Sequence, residues 1–473
     1  MLVFAFPKPS LFPLAWVGLA PCLFFLTSLP SWKRVLAGHA LFSLAFFGGL
    51  FYWLPAALSA SGRQSAIGGF LALAGLTLLQ GLLTLPFPLL TRWAARFSTD
   101  LALACAPGLW LLTEMLRSHY PLSGLPWGLL GYSQLPFLYL AQIADLGGVF
   151  LVSFLLAAVS SLIVLGFRQG SLRLQFALAV ALALAFGYGV YRIHFWQPAL
   201  SERLTAALVQ PVIQSGAPPE HYASKYFEAL PAFYQQAALQ GADWVIFAQA
   251  PNPYSFGFDF YYTSFWKRQV QTYGIPLLLN GAYLEQEPGM HHPRSAFLLG
   301  PEGQEDYKVD QAQPIPWASP GSGASPGRAV TVGEVGGIRF STLIGFEALF
   351  ARPAREAVRG GANLLVNISD DSWLGDGPAP YHLFDAARMR AIEARKPLLR
   401  SSNSGLTARI DPWGRSGPGL DQFSQDVLLA EVEGTLGRSI YSIIGDWPCL
   451  LLAAASFGAA LLAPRAMRGK GSS

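Results

Sequence analysis

The chain has 473 residues, of which 52% are hydrophobic and only 13% carry charge. Soluble domains average about 25% charged residues, so this composition excludes a wholly water-soluble protein. The formal charge of +4 is modest, and its basic residues punctuate apolar segments without clustering, which argues against a nucleic-acid-binding protein. The three cysteines, Cys22, Cys105 and Cys449, all lie in apolar stretches. They indicate neither a disulfide framework nor a zinc site, and we expect no metal or cofactor.

The first part of the chain, residues 1–195, is predicted to be a membrane domain. A bilayer span needs roughly 17–25 apolar residues. Runs of that length lie near 11–29, 35–55, 66–91, 98–115, 145–167 and 173–195, with a seventh near 447–464. Residues 1–6 (MLVFAF) look like the tail of an eighth, shortened first span.

The segment 122–142 is rich in glycine and aromatic residues and too broken for a straight spanning helix. It is predicted to be interfacial or re-entrant, because irregular backbone at membrane depth must be covered by protein. The alternative, which composition alone favours, is simple anchoring of Trp127 and Tyr132 at the lipid interface.

The orientation of the spans follows from short-loop lysines and arginines, which favour the cytoplasm. Basic residues at 33–34, 92–96, 168–173 and 465–470 alternate correctly with the intervening spans. We therefore expect a multi-pass protein of the bacterial inner membrane. Its polar segment 196–440 faces the periplasm or exterior, and residues 441–473 form a last span with a basic cytoplasmic tail.

The polar segment alternates short apolar runs with amphipathic stretches, which predicts an α/β sandwich. The strands are expected at 204–210, 243–248, 276–284, 295–300, 339–345, 362–369 and 404–411. The helices are expected at 225–240, 264–274, 349–361 and 382–396.

Residues 341–350 (STLIGFEALF) read as a strand, a sharp turn and the start of a helix; we call this stretch the elbow. Elbows of this kind display a nucleophile in many enzymes, because the turn lifts one side chain clear of the sheet. Here the residue at the apex is Gly345, which has no side chain.

The stretch 367–414, from NISDDSWLGDG through ARMRAIEARKPLLRSSNSG, strongly resembles the apolipoprotein N-acyltransferases, membrane members of the nitrilase (carbon–nitrogen hydrolase) superfamily. Their corresponding stretch runs close to SND-x-WFG, ARMRA-x-E and RPLLR-x-x-N-x-G. Residues 110–117 (WLLTEMLR) and 124–134 (GLPWGLLGYSQ) match two further signatures of that family. The resemblance implies an eight-helix membrane domain with a nitrilase-like αββα sandwich inserted before the last helix.

The resemblance also implies a reaction and its partners. The family transfers an acyl chain from a phospholipid to the N-terminal amine of a diacylglyceryl lipoprotein. It uses a Glu base in a W-P-E-T motif, a Lys that stabilises the oxyanion and a Cys nucleophile in a C-Y-E motif. By motif order, the matching positions are Gln249, Lys308 and Gly345. The motif L-V-P-F-G-E that follows the lysine has become roughly QAQPIPW at 311–317.

Four other residues are carried over by position. Glu347 is expected to be a retained pocket residue, with a solvated carboxylate at a helix start as the alternative. Phe346, Trp373 and Gly375 are candidate substrate-binding residues, and for Trp373 and Gly375 the sequence favours shaping the turn beside the pocket over contact with substrate.

The sequence leaves three functional hypotheses. The favoured one is a catalytically impaired or non-catalytic homologue that retains a cleft for lipid or lipoprotein. The second is an active N-acyltransferase that needs no thioester, in which Lys308 polarises the ester during direct attack by the amine. The third is a membrane scaffold or a partner of a sister acyltransferase.

Overall fold

A computed structural model describes residues 1–62, 64–121, 124–214, 219–250, 252, 254, 256–257, 259–282, 294–313 and 330–468. The chain forms two compact units. The first, called the helical unit, comprises Met1–Ala56, Gln64–Trp196 and Ile444–Ser473. The second, called the sandwich unit, comprises Ala57–Arg63 and Gln197–Ile443.

The helical unit is built from apolar helices. They are α1 (Pro13–Val17), α2 (Ala20–Thr27), α3 (Trp32–Leu50), α4 (Leu54–Ala60), α5 (Ala66–Thr84), α6 (Pro86–Ala95), α7 (Thr99–His119), α8 (Leu138–Ala141), α9 (Ala144–Phe167) and α10 (Leu172–His194), followed near the C-terminus by α17 (Trp447–Arg468). The boundary between the units falls within α4, whose residues from Ala57 onward are assigned to the sandwich unit. Residues Leu2–Ala5 form a single 3₁₀ turn where the shortened first span was expected.

Within the described residues, three helical segments are long and apolar enough to cross a membrane: Ala66–Ala95, Ala144–Phe167 and Leu172–His194. The pair α3 and α4, bent by 40°, would make a fourth if it forms one span. Pro13–Thr27 and Trp447–Leu462 are apolar but shorter. Each predicted span thus corresponds to helical structure, while the count of seven and the orientation remain predictions.

A buried ion pair on α7 organises the interrupted segment that follows it. Glu114 accepts a hydrogen bond from the Leu130 backbone N–H at 2.8 Å, and Arg117 donates to the Trp127 and Gly128 carbonyls at 2.5 and 2.9 Å. The irregular backbone is therefore covered by protein, which is the condition that its composition required.

The interfacial-anchor alternative for this segment is wrong for its two aromatic residues. Trp127 is 1% exposed and Tyr132 is 6% exposed within the helical unit. Both rings are packed inside the protein and are not available to the lipid interface. Residues 122 and 123 of the predicted segment lie outside the described part of the chain.

The sandwich unit contains two six-stranded sheets. The first sheet has the order β12–β1–β2–β3–β4–β5, with strands β1 (Leu200–Gln210), β2 (Trp244–Phe247), β3 (Leu277–Ala282), β4 (Arg294–Leu299), β5 (Glu305–Asp310) and β12 (Asp426–Thr435). The second has the order β11–β10–β9–β8–β7–β6, with β6 (Gly333–Val335), β7 (Ile338–Ile344), β8 (Leu364–Ser369), β9 (Leu398–Ser402), β10 (Thr407–Ile410) and β11 (Ser416–Leu420).

Helices cover the outer face of each sheet. The helices beside the first sheet are α11 (Pro219–Ser224), α12 (Leu230–Leu239) and α13 (Phe260–Tyr273). Those beside the second sheet are α14 (Ala351–Arg359) and α15 (Ala379–Ala394), and the short α16 (Ile440–Ile444) follows the last strand. A π-helical turn, Lys225–Ala229, joins α11 to α12.

Three hydrophobic layers show how these elements stack. One layer joins the first sheet to α12 and α13 through residues such as Phe247, Tyr234 and Trp266. A second lies between the sheets, where Trp244 and Phe340 meet with ring centroids 4.6 Å apart. The third joins the second sheet to α14 and α15. Helix, sheet, sheet and helix are therefore layered in the predicted αββα order.

The strand directions bring the chemistry to one edge. Strands β1, β2 and β3 are mutually parallel, as are β7, β8 and β9. The carboxyl ends of parallel strands meet at one edge of a sheet, and ligands commonly bind there in open α/β sheets. Asn403, just after β9, joins the two sheets at this edge: it exchanges side-chain hydrogen bonds of 2.8 and 2.7 Å with the Ile213 backbone.

Candidate active site

The elbow is present as expected, and its apex is Gly345. Strand β7 ends at Ile344, and a 3₁₀ turn runs from Gly345 to Leu349. Gly345 has a φ of +59°, in the left-handed region that glycine adopts with little cost. A Cβ atom built at this position would lie 2.8 Å from Gln249 Oε1 and 3.7 Å from Gln311 Nε2. Two amide side chains therefore surround the point from which a nucleophile would project.

Gln249 occupies the position expected for the general base. It lies two residues after the end of β2, is 4% exposed, and makes an isolated parallel β-bridge with Ser402 of the second sheet. An amide has about the size of a carboxylate but cannot take up a proton near neutral pH. Gln249 therefore keeps the position and approximate shape of the family's general base but cannot accept a proton as that base does.

Lys308 is not brought to the apex. Side chains alternate along a strand, and Tyr307 and Val309 face the layer between the sheets. By this alternation the Lys308 side chain leaves β5 on the other face, although Lys308 also lines a cavity that it shares with Glu347 of the elbow. Lys308 Nζ lies 3.6 Å from Asp310 Oδ1 and 5.7 Å from the centre of the Phe297 ring. None of the three heavy atoms nearest to the Gly345 Cβ position belongs to this lysine.

Gln311 is the residue that the motif comparison missed. It continues the alternation of Tyr307 and Val309 and so faces the second sheet. Its Nε2 donates to the Ile344 carbonyl at 3.1 Å, and its backbone N–H donates to the Arg294 carbonyl at 2.8 Å. The sequence signal that could have found Gln311 is the alternation of side chains along β5, which puts residues 307, 309 and 311 on the same face. The remainder of the altered motif, 314–317, lies outside the described residues.

Glu347 is buried, 3% exposed, and its carboxylate binds three backbone N–H groups. Its Oε1 accepts from the N–H groups of Ala312 and Gln313 at 2.7 and 3.0 Å, and its Oε2 accepts from Ile344 at 2.7 Å. Burial raises the pKa of Glu347 to about 7, against the opposing effect of these three donors. The solvated-carboxylate alternative is therefore wrong. Glu347 and Lys308 both line a cavity of about 190 Å³.

A buried polar network supports the elbow from below. Asn367 Nδ2 donates to the carbonyls of Leu343 and Gly345 at 2.8 and 3.2 Å, and its side-chain oxygen accepts from Arg400. Arg400 in turn pairs with Asp371 at 2.7 Å, with both side chains fully buried. These hydrogen bonds and the ion pair hold the backbone of the elbow in position.

The two aromatic candidates pack against each other beside the elbow. Phe346 is 7% exposed and Trp373 is 4% exposed, and their ring centroids are 5.8 Å apart. Gly375 has a φ of +67° and ends the short 3₁₀ turn Ser372–Leu374. These positions fit a wall and a turn beside the site, and contact with substrate stays a prediction. The described residues contain no cluster of His, Cys, Asp or Glu suited to a metal ion.

The fold and the site define a class: a nitrilase-like αββα sandwich joined to a unit of apolar helices. Two family models match the chain. The apolipoprotein N-acyltransferase N-terminal domain matches residues 1–162, and carbon-nitrogen hydrolase matches residues 205–441. The chain therefore belongs to the apolipoprotein N-acyltransferase family, within the nitrilase superfamily.

Similar proteins cover almost the whole chain. An apolipoprotein N-acyltransferase of Azotobacter vinelandii is 30% identical over 97% of this chain and 92% of its own length. One from Geobacter metallireducens is 28% identical over 99% of this chain and 94% of its own. Among solved structures, an amidase from Nesterenkonia sp. is 18% identical, with a TM-score of 0.42 over 52% of this chain and 95% of its own.

Proposed function

We propose that this protein is a non-catalytic member of its family that retains a cleft for phospholipid or lipoprotein. The observation that carries the proposal is the environment of Gly345. The atoms nearest to the missing side chain belong to the amides of Gln249 and Gln311. Among the described residues around the apex, a glycine and two neutral amides stand where the reaction requires a nucleophile, a base and a cation.

We assign Gln311, and not Lys308, to the position of the oxyanion-stabilising lysine. This assignment removes the last reactive group that motif order had retained. Losing nucleophile and base alone costs several orders of magnitude in rate, although binding and polarisation can leave a residual reaction. Because none of the described atoms nearest to the apex belongs to a cation, the thiol-independent route lacks a group placed at the apex to polarise an ester.

The sandwich unit has no thiol of its own to replace the missing one. Cys22 lies in α2, Cys105 in α7 and Cys449 in α17, and the sequence contains only these three cysteines. All belong to the helical unit, and the sandwich unit has none.

The proposed location is the bacterial inner membrane, with the sandwich unit on the periplasmic side and the C-terminus in the cytoplasm. The alternation of basic residues between apolar segments supports this orientation. The proposed ligands are those of the family, a phospholipid or a diacylglyceryl lipoprotein. Within that proposal the protein could act alone or beside a catalytically competent sister acyltransferase.

Complementation tests the proposal. A strain depleted of its own N-acyltransferase would receive the wild type, the double variant Gln249→Glu/Gly345→Cys, or the triple variant Gln249→Glu/Gln311→Lys/Gly345→Cys. We expect no growth with the wild type and the best growth with the triple variant. Rescue by the wild type would overturn the proposal.

Two controls make the comparison fair. Immunoblots of membrane fractions must show equal amounts of each variant, since an unfolded protein also fails to rescue. A triple variant carrying Gly345→Ser in place of Gly345→Cys keeps a small polar side chain at the apex but lacks the thiol. Growth that depends on the thiol shows that the scaffold can still carry the family reaction.

A further inference from the structure

Helix α3 of the helical unit begins beside the last turn of α6, and two guanidinium groups meet at its first residue. The guanidinium carbons of Arg92 and Arg96 lie 5.1 and 5.7 Å from the centre of the Trp32 ring. Arg96 also lies 5.5 Å from the centre of the Trp93 ring. Positive charge from α6 is therefore concentrated at the point where α3 starts.

The first turn of α3 has backbone N–H groups without acceptors. Serine commonly caps a helix because its Oγ accepts from the first turn, yet Ser31 makes no such bond. Among the described residues, the first N–H group of this helix that has an acceptor is that of Val35, which donates to the Ser31 carbonyl at 3.0 Å. By contrast, α5, α7 and α10 follow serines whose Oγ atoms accept such bonds at 3.1, 3.3 and 3.4 Å. A helix start with free N–H groups attracts anions.

Arg92 is buried and one of its donors lacks an acceptor. The residue is 8% exposed. Its Nε donates to the Pro30 carbonyl at 2.9 Å and its Nη2 to the Leu29 carbonyl at 3.4 Å. In the described part of the chain, nothing accepts from Arg92 Nη1 or from the buried Nε1 of Trp93. Buried donors without acceptors are costly, so this corner is suited to a ligand that supplies acceptor oxygens.

No carboxylate of the described chain neutralises this charge. Residues 1–200 contain three acidic residues. Asp100 accepts from a backbone N–H, whereas Glu114 and Asp145 form ion pairs with other arginines. The basic residues at 33–34 and Arg96 are exposed and form no ion pair within the described ranges. A bound anion can therefore supply the compensating charge.

Apolar surface adjoins the charged groups. Trp32 is 36% exposed, Leu29 is 45% exposed and Leu36 is 49% exposed. Leu36 lies one helical turn after Trp32, so the two side chains share a face of α3. A soluble anion gains little from such a surface, whereas a phospholipid can place its phosphate on the charged groups and its acyl chains on the apolar ones. An anionic phospholipid is the ligand class that fits both features.

We propose that Arg92 and Arg96, together with the first-turn N–H groups of α3 and the Trp32 ring, bind the phosphate of an anionic phospholipid. A guanidinium binds phosphate through two parallel hydrogen bonds, and basic pockets beside apolar helices bind anionic head groups. In the orientation proposed above, the site lies in the cytoplasmic leaflet. It uses only residues of the helical unit, so it depends on neither the elbow nor the missing nucleophile.

Native mass spectrometry of the full-length protein, released from detergent with added lipid, tests the site. The probes are a phosphatidylglycerol and a phosphatidylcholine with the same acyl chains; both carry a phosphodiester, but only the first head group has a net negative charge. We expect the wild type to bind the first about tenfold more tightly, a difference of about 1.4 kcal/mol. Arg96→Gln should reduce this preference to about twofold, since one basic residue near a charged membrane surface is worth about fivefold in affinity.

Arg173→Gln is the matched control. Arg173 is exposed in the first turn of α10 and belongs to the basic residues expected on the same side of the membrane. Its helix start is capped, because Ser171 Oγ accepts from the Leu174 N–H at 3.4 Å. This variant removes the same charge and should keep the preference. Equal losses in Arg96→Gln and Arg173→Gln would reduce the effect to general surface charge and overturn the proposed site.

Ser31→Asp tests the helix start without endangering the fold. A carboxylate at this position accepts the first-turn N–H groups and stabilises the helix. The unfolding temperature should therefore hold or rise while the preference for phosphatidylglycerol is lost, because the carboxylate competes with the phosphate. Ser31→Ala removes an oxygen that makes no capping bond and should change neither quantity. A preference that survives Ser31→Asp would overturn the proposal, as would equal affinity of the wild type for the two lipids.

Inorganic phosphate separates a lipid from a soluble anion. At millimolar concentration it should leave phosphatidylglycerol bound, because it has no acyl chains to contact the apolar surface. Displacement of the lipid by inorganic phosphate would assign the site to soluble anions and overturn the lipid assignment.

Discussion

The apex of the elbow and the network beneath it differ sharply. At the apex, Gly345 lacks a side chain and its neighbours Gln249 and Gln311 are neutral. Beneath it, Asn367, Arg400 and Asp371 remain connected by buried hydrogen bonds and an ion pair. The difference teaches that positioning and reactivity are separable, since the frame beneath the elbow is intact although the residue at its apex has no side chain.

The largest effect is expected from breaking the frame. Asp371→Ala would leave Arg400 buried without its partner, which typically costs about 3–5 kcal/mol. Thermal unfolding of the purified protein should show a large loss for this variant. Glu356→Ala, which breaks the exposed pair with Arg352, should cost less than about 1 kcal/mol. Similar losses for both variants would show that the network contributes no more than a surface pair.

Glu347 should make stability depend on pH. Its pKa is raised to about 7 in the fold from a usual value of 4.5. The folded state therefore holds this proton over a range where the unfolded state has lost it, so stability falls as pH rises from about 4.5 to 7 and is flat beyond. The full difference is about 3 kcal/mol.

The check is a comparison of slopes. Unfolding temperatures of the wild type and Glu347→Gln would be measured at several pH values between 5 and 8. The unfolding temperature of the variant should fall less with rising pH, because the contribution of Glu347 is missing. Asp385, whose pKa burial raises to about 6, contributes equally to both proteins. Parallel curves would assign the pH dependence to other groups.

A side chain at the apex should cost less. Gly345→Ala places a methyl group at positive φ and 2.8 Å from Gln249 Oε1, so we expect a loss of about 1–2 kcal/mol. Gly375→Ala is the matched control, because it also has positive φ but nothing lies within 4 Å of its Cβ position. The double variant Gly345→Ala/Gln249→Ala should approach that control if the close contact matters.

The smallest effect is expected at Lys308. In the triple variant that restores the family groups, Lys308→Ala should leave complementation unchanged, because none of the atoms nearest to the apex belongs to this side chain. Its pairing with Asp310 at 3.6 Å predicts a stability loss below about 1 kcal/mol. Lost rescue would place Lys308 back at the reaction centre and undo the assignment of Gln311.

Much of the sandwich could be predicted from local pattern. Apolar runs such as 362–369 and 339–345 correspond closely to β8 and β7, because buried parallel strands leave a continuous hydrophobic signal. Strands β5, β6, β9, β11 and β12 were missed. Of these, β5 (EDYKVD) carries charged residues at the edge of its sheet, and β11 (SGPGL) is rich in glycine.

The site was predicted only in part, for a reason of strand geometry. Gly345 follows β7 directly and Gln249 lies two residues after β2, so motif order located them. Lys308 and Gln311 are separated by three positions, and the alternation of β5 decides which of them lies near the apex.

Asn403 sets the spacing of the two sheets at the edge where the elbow lies. Together with the hydrogen bond from the Val212 N–H to its carbonyl, its two side-chain bonds to Ile213 fasten the rims of both sheets to each other. The two sheets cannot separate at this corner unless all three bonds break. A ligand that binds between the sheets here would therefore have to fit the spacing that these bonds set.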